Sequence, residues 1–530
     1  MQGLIGPLKE LAEFEELCKN KKKDVGMIRV CGCVNSQKSH MMYALGDGCK
    51  YKVIACSSET KAKQIYEEYR FLDSNTYLYP AKDFLFYQAD IRSKELVKQR
   101  MEGIQAVLSG EPVTVVTSLD GFMDHLAPKE SIAEKVLKIQ NDSVLKLDEM
   151  AEKLSVIGYD REVQVEGPGQ FAVRGGILDI YPLTEELPVR IELWGDEVDS
   201  IRTFDVESQR SIENLMDIVI YPAVEFPQNG EKGVSFLDYF PPEDTILFLD
   251  EPVRLVERGQ NIEDEFMEAQ KKRLESGYDL EEEEAKIFPV TEILKKINCY
   301  SSIGFCALGM KCKGLEVRES YEIQAKSVNP YNNSFEMLTQ DLKRLKRNGY
   351  RVILLSGSRT RAKRLAEDLR DYNLSSYYSE DLDREVKPGE IMTAYGYIAE
   401  GYEYPMLKFT VIAESDIFGK RKKKKKRKTY EGRKIQSFSE LKPGDYVVHE
   451  NHGVGVYQGI EKIVVDKISK DYMKISYAQG GNLYIPATQL DLIQKYASAD
   501  AKKPKLNKLG TQEWNRTKTK VRGAVKEIAR

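Results

Sequence analysis

Strand-like and helix-like patterns of apolar residues alternate through the first third of the chain. Continuous apolar or β-branched runs at 27–31, 52–56 and 113–117 predict buried strands. Between them, apolar residues recur with helical spacing at 59–72 and 93–108. Strands that alternate with helices indicate a parallel sheet with helices on its faces. The chain therefore begins with an α/β domain.

The periodicity then changes to that of an antiparallel sheet. Apolar and polar residues alternate through 161–206 between glycine turns, which predicts a β-rich insert. The apolar run at 246–250 predicts that one more buried strand returns to the first sheet. Residues 351–355 and 360–370 repeat the strand-then-helix pattern, so a second, small α/β domain follows. A last alternating stretch with glycine turns predicts a small β-barrel.

These changes of pattern divide the chain into seven segments. In chain order we expect the first part of an α/β domain at 1–120, the β-rich insert at 121–215, the second part of the α/β domain at 216–325, the small α/β domain at 326–419, a basic linker at 420–437, the β-barrel domain at 438–498 and the start of a linking helix at 499–530. The basic helix from Trp514 to Arg530 has no stop signal, so we expect the sequence to be cut inside that helix.

Length and composition limit the classes of protein. The 530 residues are 41% hydrophobic with a formal net charge of −4, which predicts several packed domains and excludes a general polycation. The run Lys420–Lys428 offers a weak DNA contact through phosphates, although blocks of like charge favour a solvated spacer. No apolar run has the length of a membrane span. The eight cysteines form no C-x-x-C pair, which favours a reduced, cytoplasmic protein without a zinc knuckle.

Residues 32–39 approach the phosphate-loop template G-x-x-x-x-G-K-[ST]. Gly32, Lys38 and Ser39 hold three of the fixed positions, whereas Gln37 replaces the second glycine. That glycine lets backbone N–H groups face a phosphate, and a glutamine side chain there fills the space that the phosphate needs. We therefore expect an inherited core, in which Lys38 is simply solvated, rather than a working nucleotide site.

The second half of a nucleotide site is present in outline. Asp250 and Glu251 follow the strand at 246–250, where a Walker B pair would bind Mg²⁺ and orient water. No second lobe with an arginine finger can be traced, so we expect no hydrolysis, no nucleotide cofactor and no metal, with residual nucleotide binding left open. His449 and His452 are three residues apart in a strand-and-turn pattern, whereas the helical zinc motif needs histidines four apart.

The β-rich insert has a specific sequence likeness. Its turns and arginines resemble, in the same order, those of the domain that UvrB and the transcription-repair coupling factors (Mfd) use to bind UvrA. The matching residues are 158–180, Tyr181-Pro182, the stretch from Pro188 and the stretch from Ile201. By this resemblance, the β-rich insert is a UvrA-docking module.

The resemblance implies which residues make that contact. They are Arg161, Phe171, Arg174, Arg190 and Glu192. Period-two counting puts Phe171 on one face of its strand, and Ala172 and Arg174 on the other. UvrB has a further arginine where this chain has Ala172, so one expected contact is missing.

Residues 441–457, Leu-Lys-Pro-Gly-Asp-Tyr-Val-Val-His-Glu-Asn-His-Gly-Val-Gly-Val-Tyr, resemble the domain by which Mfd and the CarD-type regulators bind RNA polymerase. The resemblance implies that a hairpin at 471–486 pairs its exposed strand edge with the polymerase β subunit. The expected contact residues are Tyr472, Met473, Lys474, Ile475 and Ser476. The alternative is that Ile475 faces the barrel core, since period-two patterning cannot decide which face is outside.

Together these likenesses cover nearly the whole chain and imply the N-terminal half of an Mfd-like factor. The implied fold is a degenerate, RecA-like UvrB-homology domain with an inserted β-rich domain, a small α/β domain and a Tudor-like β-barrel. The implied function is an adaptor in nucleotide excision repair that joins RNA polymerase to UvrA, with the ATP-driven DNA translocase beyond Arg530. A stand-alone UvrB-like ATPase and a CarD-like transcription regulator are the alternatives.

Overall fold

The computed structural model of the chain describes residues 2–21, 23–82, 94–206, 208–225, 227, 231–275, 287–419, 441–449, 452–465, 468–486, 493–496, 504, 506–508 and 514. They belong to two compact units. The first comprises Met1–Lys82, Glu102–Glu134 and Glu225–Lys423, and the second comprises Asp83–Met101, Lys135–Val224 and Lys424–Arg530. The predicted basic linker and nearly all of the predicted linking helix lie outside the described residues.

Helices are numbered along the chain. They are α1 (Gln2–Ile5), α2 (Ala12–Asn20), α3 (Asn35–Leu45), α4 (Glu59–Leu72), α5 (Lys94–Leu108), α6 (Lys129–Glu134), α7 (Leu147–Val156), α8 (Pro252–Glu275), α9 (Val290–Ile297), α10 (Phe335–Arg347), α11 (Arg359–Asp371) and α12 (Glu414–Phe418). The predicted helices at 59–72, 93–108 and 360–370 are confirmed as α4, α5 and α11. Among the described helices, none combines the length and apolar character that a bilayer crossing requires.

A seven-stranded parallel sheet is the centre of the first unit. Numbered along the chain, its strands are β1 (Gly26–Cys31), β2 (Tyr51–Cys56), β3 (Thr76–Tyr79), β4 (Val113–Ser118), β13 (Thr245–Asp250), β14 (Ser301–Phe305) and β15 (Val317–Glu322), in the order β15-β1-β14-β13-β2-β4-β3. The predicted strands at 27–31, 52–56, 113–117 and 246–250 are all present. Their continuous apolar runs suit a sheet covered on both faces.

A second sheet in the same unit is built from residues 326–413. Its strands are β16 (Lys326–Ser327), β17 (Arg351–Ser356), β18 (Ser376–Ser379), β19 (Ile391–Tyr395), β20 (Tyr402–Tyr404) and β21 (Phe409–Ala413), in the order β16-β20-β21-β17-β19-β18. One continuous hydrophobic core joins the two sheets: it includes Ile28 and Ile54 from the first, and Leu355 and Tyr402 from the second. The two α/β domains therefore pack as one body.

The β-rich insert in the second unit has its own core. A six-stranded sheet runs in the order β11-β10-β9-β8-β7-β6, where the strands are β6 (Asp160–Arg161), β7 (Gln170–Arg174), β8 (Ile177–Tyr181), β9 (Val189–Trp194), β10 (Glu197–Phe204) and β11 (Ser211–Leu215). All neighbours are antiparallel except β6 and β7. Strands β5 (Leu137–Gln140) and β12 (Asp217–Ile220) form a separate pair. Phe171, Leu178 and Ile191 pack on α7 residue Leu154.

The C-terminal sheet is antiparallel. Its strands are β22 (Tyr446–His449), β23 (Gly453–Val465), β24 (Ile468–Ser476), β25 (Asn482–Pro486) and β26 (Ile493–Lys495), in the order β25-β24-β23-β22-β26. A Cβ at Gly455 would lie 2.5 Å from Cγ2 of Ile475, so this β-sheet contact needs a glycine. The described strands leave β25 and β26 at opposite ends, so they do not close into the predicted barrel.

Candidate functional site

The remnant of the phosphate loop lies at the carboxyl edge of the seven-stranded sheet. Gly32 follows β1 with a φ of +82°, and α3 begins three residues later. Only β14 separates β1 from β13, so the strand ends bring Lys38 close to Asp250 and Glu251. The Nζ atom of Lys38 lies 2.7 Å from a carboxylate oxygen of each. The side chains of Lys38 and Asp250 are 5% and 2% exposed.

The expectation of a solvated Lys38 is wrong, because its side chain is buried and its ammonium group is paired with two carboxylates. Burial by itself lowers the pKa of Lys38, but the attraction of Asp250 and hydrogen bonds to Asp250 and Glu251 outweigh burial and raise it above its ordinary value. A buried ammonium group is stable only when it is paired in this way. Lys38, Asp250 and Glu251, which the sequence placed in a degenerate nucleotide site, therefore form an internal ion cluster.

The side chain of Gln37 is hydrogen-bonded within the protein at both ends of its amide. Its Oε1 accepts a hydrogen bond from the Val34 N–H at 3.2 Å, and its Nε2 donates to the Tyr404 hydroxyl at 3.1 Å. The side chain is completely buried. Backbone N–H groups of phosphate-binding loops normally bind phosphate oxygens, and here the chain's own amide binds one of them.

The serines of the loop are also bonded within the protein. The hydroxyl of Ser39, at the position that contacts Mg²⁺ in the template, donates to Oε2 of Glu68 at 2.5 Å, and that of Ser36 donates to Oε1 at 2.7 Å. Glu68 also accepts a hydrogen bond from the Ala399 N–H at 3.1 Å. The loop between β19 and β20 of the second sheet therefore contacts the same carboxylate as the first turn of α3.

A buried histidine extends the same network. Nε2 of His40 lies 3.0 Å from the carbonyl oxygen of Leu4, which can only accept, so Nε2 carries the proton. Nδ1 then accepts from the Tyr404 hydroxyl at 3.1 Å. Burial lowers the pKa of His40 to about 4. The histidine is therefore neutral in the folded protein, and its two hydrogen bonds keep the proton on Nε2.

We expect this histidine to make stability depend on pH. In the unfolded chain its pKa is about 6.5, so between pH 6.5 and 4 the unfolded chain binds a proton that the folded chain does not. Its stabilising contribution is complete above pH 6.5 and decreases as pH falls, by up to about 3 kcal/mol at pH 4. Urea titrations at several pH values measure it. His40→Gln should show a shallower loss over this window, and equal slopes in both proteins would contradict the assignment.

The polar face of the insert carries a carboxylate shared by two arginines. Asp179 on β8 lies opposite Arg190 on β9 and is 1% exposed. Its Oδ1 accepts a hydrogen bond from Nε of Arg190 at 2.6 Å, and its Oδ2 accepts from Nη2 of Arg190 at 2.9 Å. Oδ2 also lies 2.5 Å from Nη2 of Arg174. Arg174 and Arg190 are therefore held in fixed orientations at the sheet face.

The two arginines differ in exposure. The side chain of Arg174 is 44% exposed and that of Arg190 is 14% exposed. Arg190 also lies over the ring of Phe204 at 4.4 Å and donates to Gln209. The hydrogen bond with Asp179, opposed by partial burial, raises the pKa of Arg190. Arg174 is therefore the more accessible of the two, whereas Arg190 is fixed by its contacts with Asp179, Phe204 and Gln209.

The other predicted docking residues lie in two different places. Glu192 shares the outer face and pairs with Arg202 of β10, and Arg161 is exposed on β6. Phe171 is 0% exposed and belongs to the core on the opposite face. The alternation predicted for β7 is thus confirmed, but Phe171 itself cannot contact a partner because its ring is enclosed by the core.

The predicted polymerase contact needs a correction. Strand β24 pairs with β23 on one side and with β25 on the other through Tyr472–Ser476, so this segment offers no free edge. Met473 and Ile475 are both 0% exposed in the domain core. The alternative, with Ile475 facing inward, is therefore the observed one. Within the described residues, the free edges belong to β25 and β26.

The two histidines near β22 show no zinc arrangement. The rings of His449 and His452 are 4.7 Å apart, and His449 is buried. Across the part of the chain that the structure describes, no group of three or more His, Cys, Asp or Glu side chains is arranged to hold a metal ion.

Sequence reasoning missed several residues that organise these sites. They are Glu68, Asp179, Arg202 and Tyr404. Asp179 had a usable signal, since it occupies a polar-face position between buried residues of β8. Glu68 and Tyr404 had none, because their partners in the loop are distant in sequence.

Two family models match separate parts of the chain. The UvrB interaction domain matches residues 137–226, which include the arginine face, and the CarD-like/TRCF RID domain matches residues 441–497, which include the C-terminal sheet. The chain therefore combines α/β domains with one segment similar to the UvrB interaction domain and one segment similar to the CarD-like/TRCF RID domain.

The full-length comparisons identify the homologues more closely. The transcription-repair-coupling factor of Bacillus subtilis (strain 168) is 30% identical over 98% of this chain and 49% of that protein. Those of Staphylococcus haemolyticus and Staphylococcus aureus (strain MRSA252) are both 28% identical, over 86% and 87% of this chain and 44% of each relative. The chain is similar to these transcription-repair-coupling factors and spans about half of their length.

A solved structure was also compared. A hypothetical ATP-dependent RNA helicase from Sulfolobus tokodaii matches 74% of this chain and 82% of its own, at 10% identity and a TM-score of 0.22. A likeness at this level supports no conclusion about activity.

Proposed function

We propose that this chain is a cytoplasmic adaptor of transcription-coupled nucleotide excision repair that binds UvrA and the RNA polymerase β subunit through separate surfaces. The accessible, preorientated Arg174 on the face of the UvrB interaction domain carries this proposal. Arginines that are already fixed lose little side-chain entropy on binding and can form bidentate pairs with partner carboxylates. Arg190 and Glu192 lie on the same face as Arg174. Arg161, which pairs with Phe171 across β6 and β7, would contact UvrA from the edge strand of the sheet.

Arg174→Ala should weaken UvrA binding by about tenfold, because truncation of an interface arginine commonly costs more than 1 kcal/mol. Binding is measured by titrating purified UvrA onto immobilised chain, with RNA polymerase assayed in parallel. Lys153→Ala on α7 is the control, since this exposed lysine lies on the helix that covers the opposite face. Equal UvrA affinity for both variants, or no UvrA binding by the parent chain, would refute the proposal.

We propose that the polymerase contact uses the outer edge of β25 rather than the enclosed β24. An edge strand offers unpaired N–H and C=O groups to a strand of a partner. Tyr484 on β25 is 39% exposed, and Lys474 lies 5.6 Å from its ring.

Tyr484→Asp should lower RNA polymerase binding by about tenfold, or 1.4 kcal/mol, since a charge on an edge strand opposes strand addition. Gln494→Asp places the same charge on β26 at the other end of the sheet and should bind like the parent. Both variants should retain UvrA binding. If only Gln494→Asp lost polymerase binding, the proposal would be wrong and the contact would lie on the edge of β26.

We further propose that the α/β domains are a scaffold derived from a RecA-like domain that neither binds nor hydrolyses ATP. The internal bonding of Gln37, Lys38 and Ser39 supports this view. The translocase of the family would then lie in the half of the relatives that this chain does not match. The Lys420–Lys428 run is a candidate for weak DNA contact within that larger protein.

A further inference from the structure

Trp194 is a large apolar side chain that the fold leaves in solvent. It ends β9 and is 86% exposed. Tryptophan gains more than most residues from burial and is enriched at interfaces, so an exposed one on a paired strand is a candidate contact residue. The strand pairing fixes its backbone, because Trp194 lies directly opposite Glu197 across the two-residue turn Gly195-Asp196.

Trp194 lies on the same face as the docking arginine network. Side chains alternate along β9: Val189 and Ile191 are buried in the core, whereas Arg190, Glu192 and Trp194 point to the outer face. Arg190 and Trp194 are four residue steps apart along the strand, which is about 13 Å. An interface of standard size covers about 800 Å² on each partner, so one partner can contact both.

A second exposed apolar residue accompanies the tryptophan. Val144 forms a bridge with Glu197, which is itself paired with Trp194, so these three residues make a row across the sheet. Val144 is 78% exposed. The outer face therefore has a charged region around Asp179 and an apolar end at Trp194 and Val144.

We propose that Trp194 is the aromatic anchor of the UvrA-docking surface and enters an apolar pocket of UvrA that lies beside the carboxylates bound by Arg174; this inference rests on the proposed function. Tryptophan and arginine are the residue types most enriched among those that dominate binding energy. A tryptophan held at the end of a paired strand also loses little conformational freedom when it binds. Val144 would lie at the rim of the same contact.

The affinity test compares substitutions at Trp194. Trp194→Ala should weaken UvrA binding at least tenfold, whereas Trp194→Phe should stay within about threefold of the parent, since the aromatic contact is largely retained. RNA polymerase binding and the midpoint of thermal unfolding should not change in either variant, because this side chain makes little internal contact. Met216→Ala, also at an exposed apolar residue of the insert (77% exposed), is the matched control.

An optical test reports burial directly. The chain contains two tryptophans, so Trp514→Phe with 5-hydroxytryptophan incorporation gives a probe at position 194 that is excited apart from the tryptophans of UvrA. Acrylamide should quench this probe strongly in the free chain and weakly in the complex. UvrA binding that is unaffected by Trp194→Ala, or a probe equally quenched in the complex, overturns the inference while leaving the proposed function intact. Absence of UvrA binding by the parent chain overturns both.

Discussion

Lys38→Met is expected to lower the free energy of unfolding by about 3–5 kcal/mol, the usual cost of removing one member of a buried ion pair. Asp250 is 2% exposed and would lose the ammonium group that lies 2.7 Å away, which leaves a buried carboxyl group without its partner. A lysine that served only to bind nucleotide would have a smaller effect on the unliganded protein. Urea unfolding of parent and variant measures the difference.

Two comparisons make this result specific. Lys38→Met combined with Asp250→Asn should recover part of the loss, because the second change removes the unpaired carboxyl group. Lys19→Met breaks an exposed pair with Glu15 on α2 and should leave stability nearly unchanged. ATP turnover by the parent that disappears in Lys38→Met, with stability unaltered, would instead favour the stand-alone ATPase.

Asp179→Ala is expected to cost about 3–5 kcal/mol of stability and to weaken UvrA binding by about tenfold or more. Its carboxylate is the shared partner of Arg174 and Arg190, and without it two like charges face each other across β7, β8 and β9. Arg174 would lose its fixed orientation and Arg190 its principal partner. Thermal unfolding and UvrA titration of the same preparation measure both effects.

The control for this change is another aspartate in the same sheet. Asp199 on β10 is exposed, and Asp199→Ala should change neither stability nor UvrA binding appreciably. Asp179→Asn retains the shape but not the charge, and it should fall between the parent and Asp179→Ala. If Asp179→Ala bound UvrA normally, the arginines would not need this carboxylate for docking.

The local pattern of apolar and polar residues was sufficient to predict the buried strands of the parallel sheet and the alternation of faces along β7. The apolar runs became β1, β2, β4 and β13, because strands in a parallel sheet are buried on both faces and read as continuous apolar segments. Alternation in β7 separated Phe171 from Arg174 correctly. The order of turns and arginines over the insert also carried enough information to identify the UvrB interaction domain.

Local pattern was insufficient where burial depends on a second strand or domain. Alternation groups Met473 with Ile475, but it cannot say which face is covered, and the core of the C-terminal sheet decided that they point inward. The free edge likewise belongs to β25 and not to β24 as the sequence predicted, because strand order depends on pairing across the whole sheet.

The amino-acid sequence alone determined the α/β and β-rich segments, the loss of the second loop glycine at Gln37 and the likeness to coupling factors, because these depend on residue types and short-range periodicity. Only the tertiary structure decided that Gln37 is bonded to Tyr404, that Lys38 is enclosed by Asp250 and Glu251, and that Asp179 orients two arginines. Those contacts join residues of different strands and domains, and their strength comes from burial that exists only when the chain has folded.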